Sequence, residues 1–307
     1  MNKLLDLKNM FLAGDISKYD YMDEMDKFHS ILFDYQGLIN ESIAEKIEIS
    51  RDGVIVKLKD SGINLHCIKN DKGIIPLTIL NFGMYEEILW DKTASLLKNP
   101  RTILDIGGNI GYFSLYFSKK FKETKFYTFE PIPSTFEYLK KNLEINESSK
   151  ILAYNIGLSD KKSSSEMFYN PEGCGSSSLK DLLNASCTRK ITCNFSTLDD
   201  FVEENSIDDI DFIKCDVEGA EKFVYEGGLK TIQSHRPIIY SEMLRKWSKL
   251  FNYHPNDIID LFKKISYSCY AISQISLRKI NEVDENTVET NFLFVPEEKN
   301  HSIISST

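Results

Sequence analysis

Thr102-Ile103-Leu104-Asp105-Ile106-Gly107-Gly108-Asn109-Ile110-Gly111-Tyr112-Phe113 is the stretch that decides how the rest of the chain is read. Its first part is apolar and β-branched, as a buried strand requires. Glycines then stand where a side chain would block the close approach of a ligand. Phe113, Leu115, Tyr116 and Phe117 suit a helix packed back on a sheet. A strand, a glycine turn and a helix form the opening of a nucleotide-cofactor site. The helix N-terminus turns free N–H groups and a positive dipole end toward the ligand.

Outward from this stretch the chain alternates strands and helices. Strands are predicted at 102–106, 125–129, 151–156, 210–216 and 237–242, with a final pair at 266–272 and 291–295. Helices are predicted from Gly111 to about 120, and over 135–146, 219–233 and 255–264. This rhythm implies an α/β fold: a mostly parallel, seven-stranded, Rossmann-like sheet with helices on both faces. Residues 159–209 interrupt it with polar, Ser-rich sequence and short strands. The Gly173–Ser178 run inside this insertion suits either a lid over an acceptor or a plain surface loop.

Upstream, 1–50 reads as polar helix, and 52–70 alternates about a turn at Asp60-Ser61-Gly62, a hairpin signal. The expected organisation is an N-terminal helical and hairpin extension (1–75), a catalytic domain (76–298) and a flexible tail (299–307). The extension makes a homodimer reasonable.

Composition narrows the function. A net charge of −9 argues against a nucleic-acid partner bound through a broad basic surface. Six cysteines occur with no CxxC pair, which favours reduced thiols over a zinc ribbon. Neither an apolar signal region nor an apolar run of 18 residues is present, so the expectation is a cytoplasmic protein with no membrane span.

Ligands of open parallel sheets sit at the carboxyl ends of strands. Asp105, Glu130, Asp216 and Glu242 all lie there, where a carboxylate is costly unless used or paired. Glu130 can accept both hydroxyls of an adenosine ribose, in NAD or in S-adenosylmethionine (SAM). The glycine spacing discriminates between them. Counted from Gly107, Asn109 takes the place of the second glycine in the dinucleotide fingerprint G-x-G-x-x-G. Asp105 adds negative charge beside that site, unfavourable to a pyrophosphate but welcome to the sulfonium and ammonium of SAM. The pattern therefore favours SAM. An NAD-linked oxidoreductase and a non-catalytic binding module on the same fold are the competing classes.

Several ordered motifs then accumulate: Gly83-Met84-Tyr85-Glu86, LDIGGNIGYFSL, FEP at 129–131, GLSD at 157–160, STLDDF at 196–201, DFIKCDVEGAE at 211–221, RPIIYSE at 236–242 and NFLFVP at 291–296. On these the sequence resembles the FkbM family of SAM-dependent methyltransferases over roughly 80–297, with Gly108 standing where the family often has alanine. The resemblance implies a class I methyltransferase fold and O-methylation, often of sugars in polysaccharides, glycolipids or natural products. It implies that Asp105, Gly107, Asn109, Gly111 and Tyr112 surround the methionine part, with Tyr85, Glu86 and Gly108 also in the cofactor site. Glu130 and Pro131 would meet ribose and adenine, and Ser159 and Asp160 the adenine edge.

An acceptor hydroxyl also needs a base or a metal. Lys214 and Asp216 are two apart on a strand and point to one face. Asp216 and Glu242, at two strand ends, could hold a divalent ion through oxygen ligands, or Lys214 could centre an ion-pair network that only braces the site. The segment after Glu242 gathers Arg245, Trp247, Lys249, Tyr253 and His254, equipment for gripping a sugar or an anionic nucleotide-sugar. His254 is a candidate base or a helix-start residue without chemistry; His66 reads as structural.

Overall fold

The computed structural model describes residues 2–300. Its centre is an eight-stranded sheet in the order Leu277–Ile280, Tyr267–Ile272, Asn291–Pro296, Ile238–Glu242, Ile210–Cys215, Thr102–Ile106, Lys125–Phe129, Ile151–Tyr154. All seven expected strands are present. The eighth, Leu277–Ile280, turns back antiparallel on Tyr267–Ile272 and extends the edge by one strand. The five strands between Ile238–Glu242 and Ile151–Tyr154 are mutually parallel.

Topology positions the site. From Thr102–Ile106 the chain winds outward through two strands, then crosses over to Ile210–Cys215 on the other side. The point where strand order reverses therefore lies between Thr102–Ile106 and Ile210–Cys215, the crevice in which such sheets bind ligands. In that register Lys214 stands beside Asp105 on one side and Tyr240 on the other.

Alternate strand residues face opposite layers. Ile103, Phe126, Phe212, Ile238 and Leu293 pack with Tyr112, Phe113, Leu115 and Phe117 of the helix Tyr112–Lys120 and with Trp90. Leu104, Phe129, Ile213, Ile239 and Phe294 pack with the helices Leu198–Glu204, Glu221–Glu226, Leu229–His235 and Pro255–Lys263. The single helix expected over 219–233 is thus two. It breaks at Gly227-Gly228, where added Cβ atoms would lie 2.1 Å from the Ser159 carbonyl oxygen and 2.6 Å from Leu198 Cδ2. The insertion forms its own three-stranded sheet from Gly157–Leu158, Ser163–Tyr169 and Arg189–Ser196.

The N-terminal region divides unexpectedly. Ala44–Ser50 is a strand, not helix, and pairs with Gly53–Leu58, which pairs in turn with Asn64–His66. This small sheet shares the domain core through Val56, Leu58, Ile63 and Leu65. His66 is structural, its buried Nδ1 lying 3.0 Å from Asn142 Oδ1. The helices Lys3–Ala13, Lys18–His29 and Ile31–Asn40 bury no residue at all. At the other end Glu297–Lys299 closes a 3₁₀ turn, and 301–307 of the expected tail lies outside the described residues. No helix among the described residues is long and apolar enough to cross a membrane.

Candidate active site

A cavity of about 400 Å³ opens at the switch point. Its floor depends on the absence of side chains. Gly107 has φ +82°, and a Cβ there would lie 1.8 Å from the Asp216 carbonyl oxygen. A Cβ on Gly108 would lie 2.2 Å from Thr128 Cγ2. Gly107 lets the loops after Thr102–Ile106 and Ile210–Cys215 meet, and Gly108 lets the first loop lie against the strand Lys125–Phe129.

Beneath the floor Asp105 is completely buried. The Ser114 hydroxyl donates to it at 2.6 Å, and Lys214 Nζ lies 3.7 Å away. Burial raises the Asp105 pKa, while Lys214 and Ser114 oppose that rise. Lys214 also donates to the Gly107 carbonyl at 2.9 Å and pairs with Asp216 at 3.2 Å. Burial pulls Lys214 down, but the charges of Asp216 and Asp105 outweigh it and leave the ammonium above its ordinary value.

At one end of the cavity is Glu130. Its two oxygens accept the backbone N–H groups of Asn109 (3.0 Å) and Ile132 (2.9 Å). Burial nonetheless pushes its pKa up to about 7, the two N–H donors opposing. Asn109 takes φ +49°, which turns its N–H to that carboxylate. Tyr112 donates to Glu87, whose other oxygen accepts the Tyr85 N–H at 2.8 Å.

At the other end Asp216, Glu218 and Glu242 each bring a carboxylate oxygen within 4.8 Å of the others. Glu218 is held there by a turn with φ +54°, followed by Gly219 at φ +95°. Its carbonyl accepts the Ser178 hydroxyl at 2.8 Å. Burial first, and the charge of Asp216 next, raise Glu218 and Glu242 well above the ordinary carboxylate range. Glu86, bonded to the Trp90 indole at 3.2 Å, is pushed up to about 7 by burial and by Asp216.

The structure brings most of the expected residues to this cavity. Tyr85, Glu86, Gly107, Gly108, Asn109, Tyr112, Glu130 and Pro131 line it, as do Lys214, Asp216 and Glu242. Asp105 supports it from below. Gly111 faces Leu139 instead and starts the helix Tyr112–Lys120. Ser159 and Asp160 pack against Gly227, just past Gly157 and Leu158, which line the cavity. His254 is also elsewhere. It is exposed and caps the helix Pro255–Lys263: its Nδ1 accepts the Asn256 N–H at 3.2 Å, and Asp257 accepts its own N–H at 3.0 Å. Of its neighbours only Trp247 lines the cavity. Arg245 donates to the carbonyls of Asp284 and Thr287, and Tyr253 to those of Gly219 and the Glu221 carboxylate.

One contributor is not among the candidate site residues read from the sequence: Glu218, which lines the cavity from within the motif DFIKCDVEGAE. Gly173–Ser177, part of the run read from the sequence as either a lid or a plain surface loop, also lines the cavity. Asp71 anchors it by accepting the Cys174 N–H at 2.9 Å, and Cys174 Sγ sits 3.6 Å from Asn109 Oδ1. Asp71 and Cys174 are 103 positions apart, beyond any local pattern.

Residues 105–269 match the sequence model of the methyltransferase FkbM domain. Methyltransferase 1 of Beauveria bassiana is 30% identical in an alignment 163 positions long that covers 47% of this chain and 66% of that protein. Methyltransferase sdnD of Sordaria araneosa is 30% identical in an alignment 195 positions long that covers 53% of this chain and 74% of that protein. The 2-O-methyltransferase NoeI of Sinorhizobium fredii is 28% identical in an alignment 163 positions long that covers 48% of this chain and 65% of that protein. The crystal structure of a methyltransferase FkbM from Methylobacillus flagellatus aligns with a TM-score of 0.42 and 16% identity, covering 71% of this chain and 53% of that one. Since the domain match spans more than half of its length, the chain belongs to the FkbM family of methyltransferases.

Proposed function

We propose that the protein is a SAM-dependent O-methyltransferase acting on a hydroxyl of a sugar-containing acceptor, a free small molecule or a glycan, in the cytoplasm. One observation carries the reading: a single cavity joins a ribose-type carboxylate, Glu130, to a carboxylate cluster at its far end, across a floor of glycines. Each Glu130 oxygen receives one backbone N–H and so keeps a lone pair for a ribose hydroxyl. The excess of carboxyl groups over Lys214 suits a cationic cofactor. SAM supplies an activated methyl group.

The chain's own residues do the rest. The carboxylates of Asp216, Glu218 and Glu242 offer the acceptor hydroxyl an acceptor for its proton as its oxygen bonds to the methyl carbon and the S–C bond breaks. Glu218 and Glu242, raised by burial and by the charge of Asp216, are suited to that task. Trp247 and Tyr85 provide aromatic faces at the mouth for a sugar ring. The free state of all six cysteines fits a reducing compartment.

A second reading of the cluster follows from its 4.8 Å spacing: three oxygen ligands for a hard divalent cation that would position the acceptor oxygen. Turnover that survives EDTA unchanged removes it.

The test is calorimetric titration with S-adenosylhomocysteine (SAH), followed by methyl transfer to a panel of glycosides. SAH binds and NADH does not. Glu218→Gln and Glu242→Gln keep SAH affinity and lower kcat, by roughly 10²–10⁴-fold for the residue that takes the proton. Absence of SAH binding at millimolar concentration would overturn the cofactor assignment.

A further inference from the structure

The three N-terminal helices are folded without a core of their own. None of the residues in Lys3–Ala13, Lys18–His29 or Ile31–Asn40 is buried. They touch one another, for instance where Phe11 stacks on Tyr21 at 4.8 Å. Yet eleven large apolar side chains on them stay exposed, among them Leu12 at 70%, Tyr19 at 81% and Phe33 at 77%. Leu4, Leu5 and Leu12 fall on one side of the first helix. Ile31, Leu32, Tyr35 and Leu38 form a stripe on the third.

Helices of 10–12 residues are marginal in water unless packing holds them. At about 150–250 Å² for a large side chain, the exposed fractions leave on the order of 1,000 Å² of apolar surface. This is the sum over three helices, of which the stripes of the first and third carry over half; the largest patch on a typical monomer is roughly 300–600 Å². The sum matches the ~800 Å² each partner contributes to a stable interface.

We infer that this surface is a homodimer interface, occupied by the same helices of a second copy. The need for a partner is permanent, because the intrachain support is slight whenever the chain is folded: of the third helix Ile39 packs on the domain core, and the three helices bury no side chain fully. Only another copy is present at matching concentration by construction. A two-fold axis would set the stripes of the first and third helices against their own equivalents. A membrane surface fits worse: residues 3–40 carry seven carboxylates against four lysines, which anionic lipids repel. Phe82, 78% exposed, and Met84 flank Gly83, whose carbonyl accepts the Ile43 N–H just past the third helix, and they precede Tyr85 of the cavity. The second copy would therefore stand next to the acceptor opening.

Sedimentation equilibrium of the full chain tests this. The expected mass is about 71 kDa at micromolar concentration, twice the 35.4 kDa of one chain. The double variant Leu12→Glu/Leu32→Glu, with both changes on the stripes, should sediment as a monomer, with far-UV circular dichroism and SAH binding retained. A wild-type chain that sediments as a monomer overturns the inference, and so does a variant that stays dimeric. Co-flotation of monomeric wild type with phosphatidylserine vesicles also overturns it, in favour of a lipid surface. The wild-type mass decides even if the variant does not fold. SAH binding is read separately, so failure here is distinct from failure of the methyltransferase reading.

Discussion

Glu130 and Glu242 both stand at strand ends, both face the same cavity, and both are held above the ordinary carboxylate pKa by burial. They differ in what answers their charge. Glu130 is met by two backbone N–H groups whose positions the fold fixes. Glu242 is met chiefly by other acids, Asp216 and Glu218. Donors pinned by backbone make a site ready for one kind of partner, a neutral hydroxyl pair. Crowded carboxyl groups make a site whose charge state changes with what enters, because a proton or a cation must relieve them. One end of the cavity is built to hold and the other to exchange a proton. Lys214 sits at the junction, touching the floor carbonyl of Gly107 and the charges of Asp105 and Asp216 together.

The largest effect is therefore expected at that junction. Lys214→Met leaves the fully buried Asp105 without its counter-ion and should destabilise the fold by about 3–5 kcal/mol. Adding Asp105→Asn to the same chain should recover most of that loss, since the uncompensated charge goes with it. Urea unfolding of the three proteins measures both steps. A single-variant loss below about 1 kcal/mol would mean that Asp105 is already neutral, and the two ends would then not share a charge at all.

Much of the holding end is written in local sequence. A β-branched run, crowded glycines and an acid one strand over point to Asp105, Asn109 and Glu130, and strand register carries each to the same edge of the sheet. The exchanging end is only partly legible. Asp216 and Glu242 follow from strand ends, but Glu218 arrives through a left-handed backbone that its residue type does not advertise. His254 misleads for a related reason. An imidazole before a proline has the chemistry of a base, while its backbone position makes it a helix cap. Ala44–Ser50 misleads by polarity: its outward face carries Glu45 and Glu48 and hides the strand period. The Gly173–Ser178 run is legible as a lid or a surface loop, but its anchor on Asp71 spans 103 positions, which no local pattern encodes.

A smaller effect sharpens the contrast through pH. The Glu130 pKa is raised from 4.5 to about 7 in the folded chain. The native state then holds its proton more tightly than the unfolded state does. This stabilisation is complete below about pH 4.5 and is lost as pH rises through 7. Ligand-free protein should lose on the order of 2–3 kcal/mol from this group across that window. In Glu130→Gln that share of the slope should vanish, whatever constant offset the amide adds, and SAH affinity should fall. Denaturant unfolding between pH 4.5 and 8 reads the slope. An unchanged slope would place the titration elsewhere, and Glu221, also raised to about 7 by burial, is the next group to replace.

The smallest effect marks where the cavity's chemistry stops. His254 accepts the Asn256 N–H and donates its own to Asp257, so it closes a helix start from both directions. His254→Ala removes the side-chain half of that arrangement and should cost about 1 kcal/mol of stability. Neither Glu130 nor the Asp216, Glu218 and Glu242 cluster touches it, so kcat and SAH affinity should both stay at wild-type values. His254→Asn, which can still cap, should restore the stability. A fall in kcat without a fall in stability would reverse the assignment. It would mean that the segment after Glu242 moves in the working enzyme and that proton exchange extends beyond the three carboxylates.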